Sequence, residues 1–356
     1  MKKLIVIIPD LRGGGAEKVT VNLCNQFIKF MEVEIIVMNQ LGVMQQILDN
    51  RVKVHNLNIK KIRFLFFKLP KIIKERKPDI VLTQMWPLTS IVILTKLFFF
   101  LKGKYFVCEH VNLYESIKNE TSLNYYLALP IIFFTHNLSQ KIITVSDGVN
   151  YQLNSKFKIS KKKLLTIYNP VIDSKFTKFK IFKESIWQNS TKLKLLSIGR
   201  LKKQKNFKYL IETLSLIKDI DYELIIVGEG EERENLLNLI SKLNLNNKIK
   251  LIGYKEILNN YYYNADIFIL PSLWEGFGNV LVEALYYNLK IISTDCKYGP
   301  KEILKNNLYG NLAPLNSKQE FAKIISKVYK MKRIQTKERA LNFHVETISK
   351  QYLNIF

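Results

Sequence analysis

The sequence has few cysteines and lacks a hydrophobic segment long enough to span a membrane. Its three cysteines, Cys24, Cys108 and Cys296, form no C-x-x-C pair, which argues against a disulfide framework or a zinc site and favours reduced thiols. The longest apolar stretch, residues 88–101, is interrupted by Lys96 and is too short for a transmembrane helix. The apolar part of the N-terminus is too short for a signal peptide, so we expect a cytoplasmic protein.

Acidic residues are also scarce relative to basic ones. The 356 residues include 55 Lys and Arg but 30 Asp and Glu, which gives a formal net charge of +25. Such an excess favours a polyanionic partner, namely nucleic acid, an anionic membrane or a phosphorylated substrate, although a chain-wide preference for lysine would produce it too. The basic residues are spread out and no nucleic-acid-binding motif accompanies them, so we expect no nucleic-acid partner.

The order of apolar segments predicts two α/β domains. The chain is long enough for about two domains with sizeable cores, and short apolar segments alternate with helix-length segments, as is typical of parallel sheets. The predicted strands are residues 4–8, 33–37, 52–57, 80–83, 105–108, 141–145 and 164–167 in the first half, and 193–198, 222–227, 249–252, 267–270 and 291–294 in the second. We therefore expect a Rossmann-like domain over 1–172, a linker over 173–192, a second such domain over 193–336 and a terminal helix over 337–356.

A glycine-rich turn follows the strand 267–270 and precedes a predicted helix. In an open parallel sheet, ligands bind at the carboxyl ends of the strands, and the free N–H groups of a helix start favour a phosphate. Glu275 lies before this helix and Glu283 about two turns further on, which puts the two carboxylates on the order of 10 Å apart along the axis. Such a gap can span a diphosphate, although acids near a helix start are also common because they stabilise its dipole.

Cations and a further glycine-rich loop follow other strands. Arg200 and Lys205, after the strand 193–198, can neutralise a departing diphosphate, whereas most basic residues of this chain are simply solvated. Gly13-Gly14-Gly15 lets the backbone approach a diphosphate closely, or forms only a tight turn, and it lacks the full G-x-G-x-x-G spacing. His110, at the end of a strand, can hydrogen-bond a sugar hydroxyl or act structurally, and Glu109 beside it is a candidate for an acceptor contact.

The D-x-D sequence Asp219-Ile220-Asp221 is the one potential metal motif. It lies between a predicted helix and a predicted strand, away from the carboxyl ends of the strands, which we call the ligand edge. Acidic residues are common in turns of this kind. We therefore expect no metal site and no cofactor.

These motifs resemble, in order, those of retaining glycosyltransferases of family 4. The segment from Pro271 to Glu283 resembles the E-x7-E motif, Gly199-Arg200-Leu201 with Lys205 resembles G-R-L-x-x-x-K, and Gly14-Gly15-Ala16-Glu17 resembles the glycine-rich loop of the family. Asn206 departs from the pattern, because the family usually has glycine there. The resemblance implies the GT-B fold, in which two Rossmann-like, doubly wound domains face each other across a cleft and the last helix crosses back to the first domain.

The resemblance also implies roles for individual residues. Glu275 would contact the transferred sugar and Glu283 the nucleotide ribose, while His110 would face the sugar. The residues expected at the diphosphate are Arg200, Lys205, Gly14, Gly15, Gly276, Phe277, Gly278 and Asn279. Gly253 and Tyr254 fall where the family backbone meets the nucleobase. Glu275, His110, Arg200 and Lys205 would form the catalytic group.

We therefore predict a metal-independent, retaining hexosyltransferase. It would move a hexose or N-acetylhexosamine from a nucleotide-diphosphate donor, with UDP expected, to a lipid-linked or glycan acceptor in bacterial surface polysaccharide, lipopolysaccharide or glycoprotein glycan assembly. Two alternatives stay open: a GT-B sugar-nucleotide epimerase, and a catalytically silent nucleotide-sugar-binding assembly subunit.

Three segments of the N-terminal half mix basic and large apolar residues: 60–74, 96–104 and 127–134. A basic amphipathic surface of this kind can lie in the headgroup layer of an anionic membrane, although such residues often pack on the sheet instead, and Pro70 would split the first segment into two helices. The charge excess favours peripheral attachment to the inner face of the plasma membrane.

Overall fold

The computed structural model of the protein describes residues 1–39, 42–120, 124–178, 187 and 191–356. The chain forms two compact units: unit 1 comprises Met1–Val171 with His344–Phe356, and unit 2 comprises Ile172–Phe343. Unit 2 therefore begins earlier and ends later than the second domain expected from the sequence (193–336). Most of the expected linker (173–192) lies outside the described residues.

Unit 1 is built on a parallel sheet of seven strands in the order β3-β2-β1-β4-β5-β6-β7. The strands are β1 Lys3–Ile8, β2 Glu32–Val37, β3 Lys53–Asn56, β4 Ile80–Gln84, β5 Lys104–Glu109, β6 Lys141–Thr144 and β7 Leu164–Thr166. The helices are α1 Gly15–Phe27, α2 Leu65–Arg76, α3 Leu88–Phe98, α4 Leu113–Glu120, α5 Tyr125–Leu138 and α6 Asp147–Phe157, with 3-10 turns at Val43–Ile47 and Ile62–Phe64. Helix α2 is continuous through Pro70, so the expected split is wrong.

Unit 2 contains a parallel sheet of six strands in the order β10-β9-β8-β11-β12-β13. The strands are β8 Leu193–Ile198, β9 Tyr222–Val227, β10 Ile249–Leu251, β11 Ile267–Leu270, β12 Lys290–Thr294 and β13 Asn311–Ala313. The helices are α7 Ser174–Thr177, α8 Phe207–Leu214, α9 Arg233–Lys242, α10 Asn259–Asn264, α11 Asn279–Tyr286, α12 Pro300–Ile303, α13 Lys318–Lys330 and α14 Lys337–Leu341, with a 3-10 turn at Lys203–Lys205. The sequence missed β13, which is three residues long.

The central strands of both sheets are buried on both faces and are correspondingly apolar. In β1 every residue from Leu4 to Ile8 is buried, and β11 is buried throughout, because helices cover both faces of a parallel sheet. The prediction of two Rossmann-like, doubly wound units is confirmed.

The last residues of the chain return to unit 1. Helix α15, Val345–Leu353, packs on α1, and the ring of Tyr352 lies 5.9 Å from that of Phe27. Phe356 reaches Phe106 in strand β5, at 5.1 Å between ring centroids. Helix α14, by contrast, packs on α11 in unit 2, so the part of the expected terminal helix that joins unit 1 begins at His344.

The strand order places one reversal point in each unit. Chain connections run in opposite directions from the β1–β4 pair in unit 1 and from the β8–β11 pair in unit 2. In open parallel sheets, ligands bind outside the carboxyl ends of the strands at this point. Among the described residues, every helix is too short or too polar to cross a bilayer.

Candidate active site

The loop after β8 carries the two cations that the sequence assigned to a diphosphate. Arg200 is exposed, and Lys205 ends the short 3-10 turn that follows. A Cβ added at Gly199 would lie 3.2 Å from the Cδ atom of Lys205. Glycine at this position therefore leaves room for the Lys205 stem to lie across the strand end towards the loop after β11.

Lys205 meets Glu275 at this reversal point. Its Nζ lies 2.5 Å from Glu275 Oε1, and Ser272 Oγ donates to the same oxygen at 2.6 Å. Ser272 is fully buried, and its carbonyl oxygen accepts from Thr294 Oγ1 at 2.6 Å. The sequence assigned Lys205 and Glu275 to different parts of a ligand, and the structure joins them in an ion pair with the Glu275 side chain 7% exposed.

Backbone hydrogen bonds hold the Glu275 loop from both sides. Gln204 accepts from Leu273 N at 2.8 Å through its carbonyl oxygen, and its side-chain amide donates to Trp274 O at 2.9 Å. On the other side, Glu275 N donates to Lys297 O at 3.0 Å.

The segment 296–302, to which the sequence gave no role, packs closely against this loop. Gly299 has a φ of +84°, and a Cβ there would lie 2.1 Å from Phe277 O. Glycine at 299 therefore permits both the left-handed backbone conformation and the close approach of segment 296–302 to the loop that contains Phe277.

The residues between Glu275 and α11 contribute backbone rather than side chains to the ligand edge. Helix α11 begins at Asn279, directly after Gly276, Phe277 and Gly278. The Phe277 ring is buried and lies 5.3 Å from the ring of Phe343. A contact between Phe277 and a ligand would therefore come from its main chain.

Glu283, the fifth residue of α11, is buried. Its Oε2 accepts from Tyr262 Oη at 2.7 Å. Tyr262 is fully buried and stacks on Tyr287 at 5.8 Å and 6°. Burial and the negative charge of Glu283 raise the pKa of Tyr262 well above its usual value, so this hydroxyl stays protonated and donates to Glu283.

The two positions expected at the nucleobase lie beside the loops after β8 and β9. Gly253 O accepts from Gly228 N at 2.9 Å, and Leu201 N donates to Glu229 O at 2.9 Å. The turn at 228–230 thereby joins Gly253 to the loop that carries Arg200. Tyr254 follows Gly253 and is 47% exposed.

In unit 1 the glycine-rich loop lies between β1 and α1, beside the reversal point of the sheet. Helix α1 begins at Gly15, and Gly14 precedes it without a side chain that could cap the helix. Gly15 is exposed, whereas Glu17 is buried. The helix start is thus formed by main-chain groups, as binding of a phosphate requires.

His110 follows β5 and is held by the end of β4. Its Nε2 lies 2.7 Å from Gln84 Oε1, and its Nδ1 is buried without a hydrogen-bond partner among the described residues. Since an amide oxygen only accepts, Nε2 carries the proton and Nδ1 the lone pair. Burial lowers the pKa of His110 to about 4, although the negative charge of Glu109 opposes the shift, so the imidazole is neutral at pH 7.

The hypothesis that Glu109 contacts the acceptor is wrong. Its fully buried carboxylate accepts from Trp86 N at 3.1 Å, from Thr89 Oγ1 at 2.8 Å and from His136 Nε2 at 3.0 Å. Consecutive strand residues face opposite sides of the sheet, so Glu109 points away from His110 and towards α3 and α5. It holds the turn between β4 and α3, and His136 is a partner that sequence reasoning missed.

Asp221 lies at the other edge of unit 2. It precedes the amino end of β9, whereas Lys205 follows the carboxyl end of the parallel strand β8. The Asp221 carboxylate lies 3.5 Å from Lys192 Nζ. This agrees with a chain-turning role for the D-x-D sequence.

Comparison with known proteins identifies both units. Residues 13–175 match the family described as Glycosyltransferase Family 4, and residues 178–342 match the family described as Glycosyl transferases group 1.

Several glycosyltransferases are similar over most of the chain. An amylovoran biosynthesis glycosyltransferase from Erwinia amylovora is 26% identical over 313 residues, covering 87% of this chain and 85% of the relative. The N-acetylgalactosamine-N,N'-diacetylbacillosaminyl-diphospho-undecaprenol 4-alpha-N-acetylgalactosaminyltransferase of Campylobacter jejuni is 27% identical over 326 residues, covering 89% and 87%. The crystal structure of Anabaena HepE in complex with UDP has a TM-score of 0.80 at 18% identity, covers 99% of each chain and shows the same fold. The chain therefore belongs to the glycosyltransferases of the GT-B fold, with a Glycosyltransferase Family 4 domain followed by a Glycosyl transferases group 1 domain.

Proposed function

We propose that the protein is a retaining glycosyltransferase that transfers a hexose or N-acetylhexosamine from a UDP-linked donor to a lipid-linked or glycan acceptor. The observation that carries the proposal is the cluster of Arg200, Lys205, Glu275 and the start of α11 at the reversal point of unit 2. Two cations and a helix start suit a diphosphate, and the carboxylate beside them suits sugar hydroxyls.

The donor-binding roles follow from this arrangement and from the family motifs. Arg200, Lys205 and the main chain of Gly276, Gly278 and Asn279 bind the diphosphate. Glu275 binds the transferred sugar, Glu283 the ribose, and Gly253 with Tyr254 the base. Gly14 and Gly15 of unit 1 offer main-chain groups at the start of α1 to a phosphate. The fold shared with a protein crystallised with UDP supports this choice of nucleotide.

The reaction needs no protein nucleophile in this proposal. The bond between the anomeric carbon and the UDP oxygen breaks, and the acceptor oxygen bonds to the same face of the sugar. The acceptor proton passes to an oxygen of the departing phosphate, and Arg200 and Lys205 stabilise the negative charge that develops there. We propose that the neutral His110 faces a sugar hydroxyl. We propose that no metal ion takes part.

The acceptor is proposed from the relatives. The relative from Erwinia amylovora is named for amylovoran biosynthesis, and the Campylobacter jejuni relative is named for a sugar-diphospho-undecaprenol substrate. The Campylobacter jejuni name supports an acceptor carried on a lipid diphosphate, and the two relatives together support a place in the assembly of a bacterial surface glycan.

An exposed apolar surface supports contact with a membrane. Helix α3 packs between α2 and α5, so the three segments singled out in the sequence are neighbours on unit 1. The Phe66 ring contacts Phe67, Phe98 and Phe99 at 5.3–5.5 Å between centroids. We call the exposed apolar residues on and next to these helices the apolar face: Phe64, Phe67, Leu97, Phe98, Phe100, Tyr126, Leu127, Ile131, Phe133, Phe134 and Leu138.

Exposed basic residues flank the apolar face. Lys60, Lys61, Arg63, Lys68 and Lys71 are exposed on and before α2. Each such residue near an anionic bilayer contributes about 1 kcal/mol to binding. We propose that this surface attaches the enzyme to the inner face of the plasma membrane, where a lipid-linked acceptor is available.

A donor screen by nucleotide release tests the function. The full chain is incubated with UDP-hexoses and UDP-N-acetylhexosamines, with and without a lipid-diphosphate-linked sugar, and the product is identified by mass spectrometry. We expect acceptor-dependent UDP release that persists in EDTA. Epimerised donor without acceptor would instead show the epimerase, and UDP binding without turnover would show a silent subunit. Replacing Arg200 with Ala should lower UDP release. Arg333→Ala is the matched control, because Arg333 pairs with Asp266 at the opposite edge of unit 2.

A further inference from the structure

Lys205 and Glu275 bind each other, although the proposed function assigns one to the diphosphate and the other to the sugar. We propose that donor binding exchanges this ion pair: the diphosphate takes Lys205 from Glu275, and Ser272 then keeps the carboxylate in place for the sugar. The inference rests on the proposed function and makes Ser272 a positioning residue.

The geometry allows Lys205 to change partner. The ammonium group is a compact charge on a flexible stem, and it can donate in three directions. Its stem lies across Gly199, and its side chain is 17% exposed, more than that of Glu275. A diphosphate that binds at the neighbouring start of α11 competes with Glu275 for this charge. The carboxylate is therefore a competitor of the donor until the exchange takes place.

Glu275 keeps one strong hydrogen bond after the exchange. Ser272 Oγ donates to the same Oε1 atom that Lys205 contacts, at 2.6 Å, and a hydroxyl bond to a carboxylate is charge-assisted. Ser272 is itself fixed, because its carbonyl oxygen accepts from Thr294 Oγ1. The main chain of Glu275 is fixed by Lys297 O. Ser272 thus holds a buried carboxylate that has lost its cation.

A double-mutant cycle on UDP affinity tests the exchange without measuring turnover. Glu275→Gln frees Lys205, so we expect UDP to bind about 3- to 10-fold more tightly by isothermal titration calorimetry. In the Lys205→Ala background, Glu275→Gln should change UDP affinity little, because the gain in affinity depends on the freed Lys205. Unchanged or weaker UDP binding by Glu275→Gln would overturn the exchange. Equal tightening in both backgrounds would also overturn it, since it would indicate general repulsion between Glu275 and the diphosphate.

Ser272→Ala tests the positioning role. We expect turnover at saturating donor to fall about 10- to 100-fold while UDP affinity stays near that of the wild type. Ser197→Ala is the matched control, because Ser197 is equally buried in β8 and donates to Ile269 O at 2.6 Å. In the Glu275→Ala background, adding Ser272→Ala should cause no further loss.

Two results would remove Ser272 from the proposal: turnover equal to that of Ser197→Ala, or a further loss in the Glu275→Ala background. If Ser272→Ala does not fold, Ser272→Cys replaces the hydroxyl with a weak donor of similar size. Failure of the proposed function looks different, because the wild-type protein would then release no UDP from any donor.

Discussion

The two units use their charged residues in opposite ways. In unit 2 the charges at the carboxyl ends of the strands face the ligand edge, with Lys205 beside Glu275 and Arg200 exposed next to them. In unit 1 the carboxylate at the end of β5, Glu109, is buried and accepts from His136, the Thr89 hydroxyl and one main-chain N–H group. The exposed feature of unit 1 is instead the apolar face with its basic flank. Under the proposed function, unit 2 binds a small anion and unit 1 binds a large amphipathic partner.

Removing the cations of unit 2 should have the largest effect on turnover. Replacing Arg200 or Lys205 with Ala should lower turnover by about 10²-fold or more, because each stabilises charge on the departing diphosphate. Steady-state UDP release measures the effect. The thermal midpoint should change little in Arg200→Ala, whereas it should fall in Lys205→Ala, because that change leaves the buried Glu275 carboxylate without its cation. Near-wild-type turnover in Arg200→Ala would remove this residue from the site.

The apolar face of unit 1 and its basic flank are tested by vesicle binding. The protein should bind vesicles that contain an anionic phospholipid, and the binding should fall steeply between low and high salt. Changing Lys60, Lys61, Arg63, Lys68 and Lys71 to Ser should weaken vesicle binding by on the order of 10³-fold, while UDP affinity stays unchanged.

Sedimentation with vesicles of neutral lipid is the control for this measurement. Phe98→Ser tests the apolar part of the surface separately, because it removes a large exposed ring and leaves the charge unchanged. A protein that ignores anionic vesicles at low salt would make a water-soluble acceptor the better choice.

Within unit 2, replacing Glu275 and replacing Glu283 should have different effects on UDP affinity. Glu283→Ala should weaken UDP binding by roughly 10-fold, since a ribose contact is present with or without the sugar. Tyr262→Phe should act in the same direction because it removes the hydroxyl that orients Glu283 at 2.7 Å. Tyr222→Phe is the control, since it removes a buried hydroxyl bond to Leu214 O. Equal losses of UDP affinity in Glu275→Ala and Glu283→Ala would contradict the assigned order along α11.

Sequence patterns predicted the elements better than the pairings between them. The alternation of apolar segments gave both sheets, because strands buried on two faces have a distinct composition. The sequence could also have predicted which side of the sheet Glu109 faces. Along β5, Glu109 lies on the same side as Tyr105 and Val107, because every second residue of a strand faces the same way.

The ion pair of Lys205 with Glu275 had no signal in the sequence. The two residues are 70 positions apart, and their contact depends on how the loops after β8 and β11 pack. His136 was equally hidden, because its partner Glu109 lies in another element. Local patterns predict local structure, whereas side-chain partners are decided by tertiary packing.

A buried charge cluster in unit 1 should have the smallest effect, and that effect is on stability. Glu34, fully buried in β2, has Lys3 Nζ at 2.8 Å and His55 Nε2 at 2.7 Å. Burial alone would raise the pKa of Glu34, but the hydrogen bonds from Lys3 and His55 outweigh it and hold the pKa below its usual value of 4.5. The folded protein therefore takes up this proton less readily than the unfolded chain. The cluster contributes its full stability above the unfolded pKa, and this contribution is lost as the pH falls through the folded pKa.

We accordingly expect Glu34→Gln to lower the free energy of unfolding by roughly 1 kcal/mol at pH 7. The difference from the wild type should begin to shrink as the pH falls below the unfolded pKa, about 4.3, and disappear once the pH is below the lower pKa of the folded state. Urea unfolding at several pH values measures this, with the exposed Glu75→Gln as control. Turnover per folded molecule should not change, because the cluster lies towards the amino end of β2, away from the ligand edge. A loss of turnover without a loss of stability would mean that unit 1, like unit 2, uses a buried carboxylate in the reaction.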